Sequence, residues 1–112
     1  MLTRESFIAA LRSGDYEQGH GQLRRGNEFC GLGVACDLSG VGTWATADRP
    51  SEAAPVTAKF VLDGLEYIVD LPDKLSDELH LTPAGRNAMI EDNDNGYSFA
   101  FIADRLERGE YG

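Results

Sequence analysis

Five glycines, two adjacent arginines, both cysteines and one of the two histidines fall within residues 16–38. Cys30 with His20 has the composition of a nucleophile–base pair, in which an imidazole withdraws the thiol proton. No oxyanion-hole pattern and no third, orienting group accompanies them. Cys30 and Cys36 therefore read as buried thiols, and no catalytic residue is assigned. Arg24 and Arg25 are neighbours, so on a strand they face opposite ways. One of them, with Gln18, Gln22 and nearby glycine amides, is able to grip a carboxylate or phosphate. The competing reading is an internal ion pair to Asp37 or Glu17. Gln18, Gln22, Arg24 and Arg25 are the candidate ligand-binding residues.

Two further motifs fail on inspection. Residues 31–36, GLGVAC, begin like a dinucleotide-binding glycine loop but end in Cys36 and lack a parallel βαβ setting. Their glycines instead suit close packing of a helix on a hairpin. Residues 91–96, EDNDNG, resemble a calcium loop when Gly96 is placed at position six. The twelfth position, which should be a bidentate glutamate, is then Ile102, so a polar turn is the better reading. Two histidines and two cysteines lack metal-ligand spacing. Neither a metal nor a cofactor is expected.

Short elements have to position these groups. Thr3 is placed to cap a first helix, with Leu2 and Phe7 as a hydrophobic staple and Ser13-Gly14 as its end. Segments 22–25 and 28–30 flank Gly26-Asn27 as a tight hairpin. Residues 32–38 predict a short buried helix, with a strand as the alternative. Residues 39–56 read as one long loop, anchored by Trp44, which either folds back onto the core or meets a partner. Residues 59–62 and 65–69 predict strands joined by Asp63-Gly64. Helices are expected over 74–81, from Thr82-Pro83 through Ile90, and from Ser98 to Gly109, with Tyr97 and Ile102 as a staple and a turn over 92–96. The class is α+β in a single domain over 1–112: short antiparallel hairpins against four or five short helices. The last two helices resemble the start of a helix-turn-helix, but no recognition helix follows them.

Charge narrows the function classes. The chain of 112 residues carries a net charge of −9, from 19 acids and 10 bases. Residues 1–56 hold seven acids and five bases, and residues 57–112 hold twelve and five. Such a surface repels a phosphate backbone, so nucleic-acid binding is disfavoured. No apolar run approaches the ~20 residues of a membrane helix, and the N-terminus lacks a signal peptide's apolar core, so a cytoplasmic protein is expected.

A family resemblance rests on both ends of the chain. Ala10-Leu11-Arg12-Ser13-Gly14, Tyr16, Gln18-Gly19, Gly21, Leu23-Arg24, Phe29-Cys30, Leu32-Gly33-Val34 and Cys36-Asp37-Leu38 carry the first part. Asn95-Gly96, Ser98-Phe99 and Ile102-Ala103-Asp104 carry the second. Together they resemble small proteins of tailed phages and prophages that read "ALRSGxYxQGxGxLR…FCCLGVLCDL…SFxxIAD". Gly31 stands where a second cysteine is usual, and Ala35 where leucine is usual. The resemblance implies a phage accessory protein acting in a bacterial cytoplasm, and it supplies no catalytic residue.

The leading expectation is a non-enzymatic module that binds a host or phage protein through acidic residues of the second half. Trp44, Glu91, Asp92 and Asp94 are the candidate contacts, with Asp73, Asp77 and Glu78 adding charge. A DNA-mimicking inhibitor is its sharper form. The alternative is a binder of a nucleotide or phosphometabolite, or a small enzyme, built on residues 16–38.

Overall fold

The computed structural model describes residues 2–46 and 57–112. Helix α1 (Arg4–Ser13) begins where Thr3 Oγ1 accepts from the Ser6 amide and the Ser6 hydroxyl oxygen accepts from the Thr3 amide. It ends at Gly14, whose φ of 79° closes the last turn. Phe7 and Leu11 bury its inner face.

Strands β1 (Glu17–Gln18), β2 (Arg24–Arg25) and β3 (Glu28–Phe29) follow, and β2 and β3 form the hairpin expected around Gly26-Asn27. β1 pairs with β3 in parallel, the one departure from an antiparallel sheet. Helix α2 (Gly31–Leu38) is capped by the Cys30 thiol, which accepts from the Gly33 amide at 3.4 Å. Residues 31–36 are all buried, so this helix runs through the core rather than along its surface.

The long loop expected over 39–56 contains a strand instead. β4 (Thr43–Thr46) pairs antiparallel with β5 (Thr57–Leu62), setting Trp44 opposite Phe60. Residues 47–56 lie outside the described residues. β5 turns through Asp63-Gly64 into β6 (Leu65–Tyr67), and both turn residues have positive φ, 52° and 79°, as a two-residue hairpin requires. The sheet order is β1-β3-β2-β5-β4, with β6 also paired to β5.

Three helices complete the chain: α3 (Asp73–Glu78), α4 (Pro83–Asp94) and α5 (Phe99–Glu107). Thr82 and Ser98 cap the last two through their hydroxyls, at 2.9 and 3.2 Å, as their sequence positions suggest. α4 runs past Ile90 to Asp94, so the turn expected over 92–96 shrinks to Asn95-Gly96. The Tyr97 ring stacks on Phe101 at 4.4 Å, and both rings are exposed. Among the described residues the protein is thus α+β, five helices against a six-stranded, mostly antiparallel sheet.

Candidate functional site

The residues singled out by their chemistry separate into two clusters on either side of the β2–β3 hairpin. The first is organised by Asn93, near the end of α4 and 1% exposed. Its Oδ1 accepts from Gln18 Nε2 at 3.0 Å and from the Gly31 amide at 3.2 Å. Its Nδ2 donates to the Gly19 carbonyl at 2.7 Å. Its own carbonyl accepts from His20 Nδ1 at 2.8 Å, so that ring nitrogen carries a proton. Next to it, Asp94 Oδ1 accepts from the Gly21 amide at 2.9 Å. The polar end of α4 therefore supplies the partners that the glycine-rich backbone lacks.

This arrangement assigns structural roles to several candidates. Gln18 also donates to the Tyr97 carbonyl at 2.6 Å, so its amide links β1 to both ends of the α4–α5 connection. Asp92 points elsewhere: its Oδ2 accepts from Arg105 at 2.5 Å and from the Tyr111 hydroxyl at 2.6 Å. Burial first, then the bond to Asp92, raises the Tyr111 phenol, which keeps it a donor. Glu91 is exposed. Glu91, Asp92 and Asp94 thus follow one another in sequence without forming a single acidic patch. Among the described residues no group of three or more His, Cys, Asp or Glu is placed to hold a metal ion.

Both cysteines are free and buried. Burial pushes the Cys30 thiol up to about 11 and raises Cys36 as well. Around pH 8 only about one Cys30 in a thousand is then thiolate, the form that reacts. Native protein is expected to take up iodoacetamide at least ~100-fold more slowly than urea-unfolded protein, as followed by mass spectrometry. Rapid native labelling of Cys30 would restore its reading as a nucleophile.

The second cluster is aromatic. Tyr16, Phe29, Trp44 and Phe60 meet edge to face in series, with ring centroids 5.1, 6.0 and 5.1 Å apart. Arg24 lies over Phe29 at 4.9 Å and over Trp44 at 5.5 Å, and its Nε donates to the Gly26 carbonyl at 2.9 Å. Among the described residues it forms no ion pair with Asp37 or Glu17; the ring faces take that place. Asp37 instead accepts from the Tyr16 hydroxyl at 2.8 Å and from Trp44 Nε1 at 3.1 Å. Trp44 is half-buried against the core through these contacts.

Gln18, Gln22, Arg24 and Arg25 do not converge on one pocket. Gln18 belongs to the Asn93 cluster and Arg24 to the aromatic one, with Phe29 between them in the same cross-strand row. Gln22 Oε1 is buried without a hydrogen-bond partner among the described residues. Arg25 sits opposite Glu28 and Thr57 on the exposed side of the hairpin. Asn93, Tyr16 and Asp37 were not legible as a framework in the sequence, because Asn93 bonds to residues 62 or more positions away and Tyr16 to Asp37 across 21.

Fold and site together define a small α+β domain whose unusual residues brace its glycine-rich segment. The chain belongs to a family described as a domain of unknown function, DUF8296, whose model matches residues 2–110. No curated protein and no solved structure matches it.

Proposed function

We propose that this protein is a non-enzymatic binding module that captures a basic protein partner, in the manner of a phage accessory protein in a bacterial cytoplasm. The observation that carries this reading is how the charges are distributed. Lys59, Arg12, Arg86, Arg105 and Arg108 are tied to acids of the same chain. Arg4 is turned onto the carbonyls of Leu79 and His80, and Arg24 onto aromatic rings. By contrast Asp77, Glu78 and Glu91 are exposed and form no ion pair among the described residues. These contacts hold most of the described cations against the chain, with Lys74 and Arg25 exposed, in a protein whose net charge is −9.

Further support comes from the groups that catalysis would draw on. Cys30 caps a helix and His20 Nδ1 is held by a backbone carbonyl. The phage resemblance adds the biological setting. No helix among the described residues is long and apolar enough to cross a membrane.

The test is capture from bacterial lysate at low salt, followed by stepwise salt elution. A stoichiometric partner of basic charge is expected, released between about 0.05 and 0.5 M salt as screening shortens the electrostatic range. Neutralising Asp77, Glu78 and Glu91 together should slow association several-fold and leave the thermal midpoint within ~2 °C. A partner that is acidic, or one held equally at all salt concentrations, would count against the reading. A thermal shift with nucleotides, lost in Arg24→Ala, would favour the small-ligand alternative.

A further inference from the structure

The outward side of α1 borders an open groove of about 610 Å³. Ser6, Ala9, Ala10 and Ser13 form its floor, at the i, i+3, i+4 and i+7 positions that share one helix face. Asp15 and Asp37 stand at its edge, and no cation lines it. We infer that this groove is the docking site for the basic partner, receiving a lysine or arginine side chain from a segment that lies along α1. This inference rests on the binding-module reading and localises it.

Three features favour that occupant. The floor is made of small side chains, so a partner backbone is able to approach closely before its own side chains meet resistance. The carboxylate of Asp37 is held in place by two neutral donors, Tyr16 Oη at 2.8 Å and Trp44 Nε1 at 3.1 Å. Those bonds fix its direction without neutralising it, and a carboxylate has further lone-pair sites to offer. Burial and the neighbouring Asp37 push the Tyr16 phenol up to about 12, so it remains a donor across the working pH range. Arg24, the counter-ion the sequence suggests for Asp37, is stacked on Phe29 and Trp44, and no cation among the described residues is ion-paired with Asp15 or Asp37. An acidic groove without an internal cation complements a basic segment and repels a second copy of this chain, which carries the same charge of −9. A second, smaller groove of about 470 Å³ shares Ala9 and is lined by Glu5, Ile8, Arg12 and Glu107; its one cation, Arg12, is paired with Glu107 and Asp104, so of the two the groove bordered by Asp37 is the one without a cation in its lining.

The inference is tested by amide NMR titration at low salt with an alanine-based helical peptide carrying lysine at every fourth position. Its glutamate counterpart and spermidine serve as the other arms. The basic peptide is expected to shift Ala9, Ala10, Ser13, Asp37 and the Trp44 indole N–H, while the acidic peptide shifts nothing. Asp37→Asn, which keeps an acceptor for Trp44, should weaken binding about 10-fold or more. Ala9→Trp fills the groove from an exposed position and should abolish the response even if Asp37→Asn perturbs the fold. Shifts confined to α3 and Glu91 would overturn the groove and leave the acidic-module reading standing. Equal response to spermidine would replace the protein segment by a free polyamine. Shifts that follow protein concentration without peptide would assign the groove to a second copy. No response to the basic peptide up to ~1 mM, where charge complementarity alone should register, would overturn both readings.

Discussion

Asn93→Ala is expected to lower the stability of this protein by about 3–5 kcal/mol, measured as a shift of the urea midpoint. The side chain is 1% exposed and serves three groups at once: Gln18 Nε2, the Gly31 amide and the Gly19 carbonyl. Gly19 and Gly31 are both buried, so alanine strands a donor and an acceptor where water does not reach. Each stranded group costs roughly 1–3 kcal/mol, and the lost volume adds to that. Asn93→Asp separates the hydrogen bonds from the shape. A carboxylate still accepts from Gly31 but sets a negative oxygen against the Gly19 carbonyl, now 2.7 Å from Nδ2. Folding would raise the pKa of that new acid. The stability tied to its protonated form is therefore fully present below its unfolded pKa and lost as pH rises through the folded one. Asn93→Asp should accordingly approach the wild type as pH falls, whereas Asn93→Ala should not. Amide exchange at Gly31 should accelerate in Asn93→Ala. A midpoint within ~0.5 kcal/mol of the wild type would show that the bonds to Asn93 contribute little net stability.

The parts of the fold legible in the sequence are those fixed by local chemistry. Thr3, Thr82 and Ser98 each accept from an amide three residues on, and this preference belongs to the residue itself. Asp63-Gly64 takes positive φ at both positions, which few other pairs tolerate. Of the two glycines in 31–36 expected to pack on the hairpin, Gly33 does so, against Leu23, whereas Gly31 faces Met89 and Ile102 of the C-terminal helices. The buried state of both cysteines followed from their apolar surroundings.

What stayed illegible depends on partners distant in sequence. β4 contains Thr43, Trp44 and Ala45 in a glycine-rich stretch that reads as loop, and it is a strand because the edge of β5 pairs with it. β1 is two residues long and exists by its parallel pairing with β3. Residues 91–94 have the composition of a turn, yet α4 runs through them because Asn93 and Asp94 find acceptors and donors in residues 19–31. The calcium-loop resemblance and the dense glycine segment thus share one explanation. Asn93 and Asp94 of the former complete the hydrogen bonding of the latter, and neither motif shows this alone.

Gly33→Ala should be the most damaging of the conservative substitutions in α2, at about 3 kcal/mol or more, although alanine is the better helix former by about 1 kcal/mol. A Cβ at Gly33 would lie 1.8 Å from the Leu23 carbonyl oxygen. That oxygen is not free to retreat, since it accepts from the Cys30 amide at 3.1 Å and Leu23 itself donates to the Ile68 carbonyl at 2.7 Å. Relief requires α2 to move away from the hairpin, and Leu23, Leu32 and Val34, all essentially fully buried, would lose their contacts together. A control lies in the same helix. A Cβ at Gly31 would meet the flexible end of Met89, with Sδ at 3.4 Å, and its three nearest neighbours are all side-chain atoms. Gly31→Ala should therefore change stability by less than ~1 kcal/mol, because helix propensity and a small adjustment of Met89 nearly offset. Urea midpoints of the two variants decide the matter. If Gly33→Ala matched or exceeded the wild type, α2 would not be held against Leu23 as described. The dense segment's glycines would then have to be explained by something other than the approach of helix to hairpin.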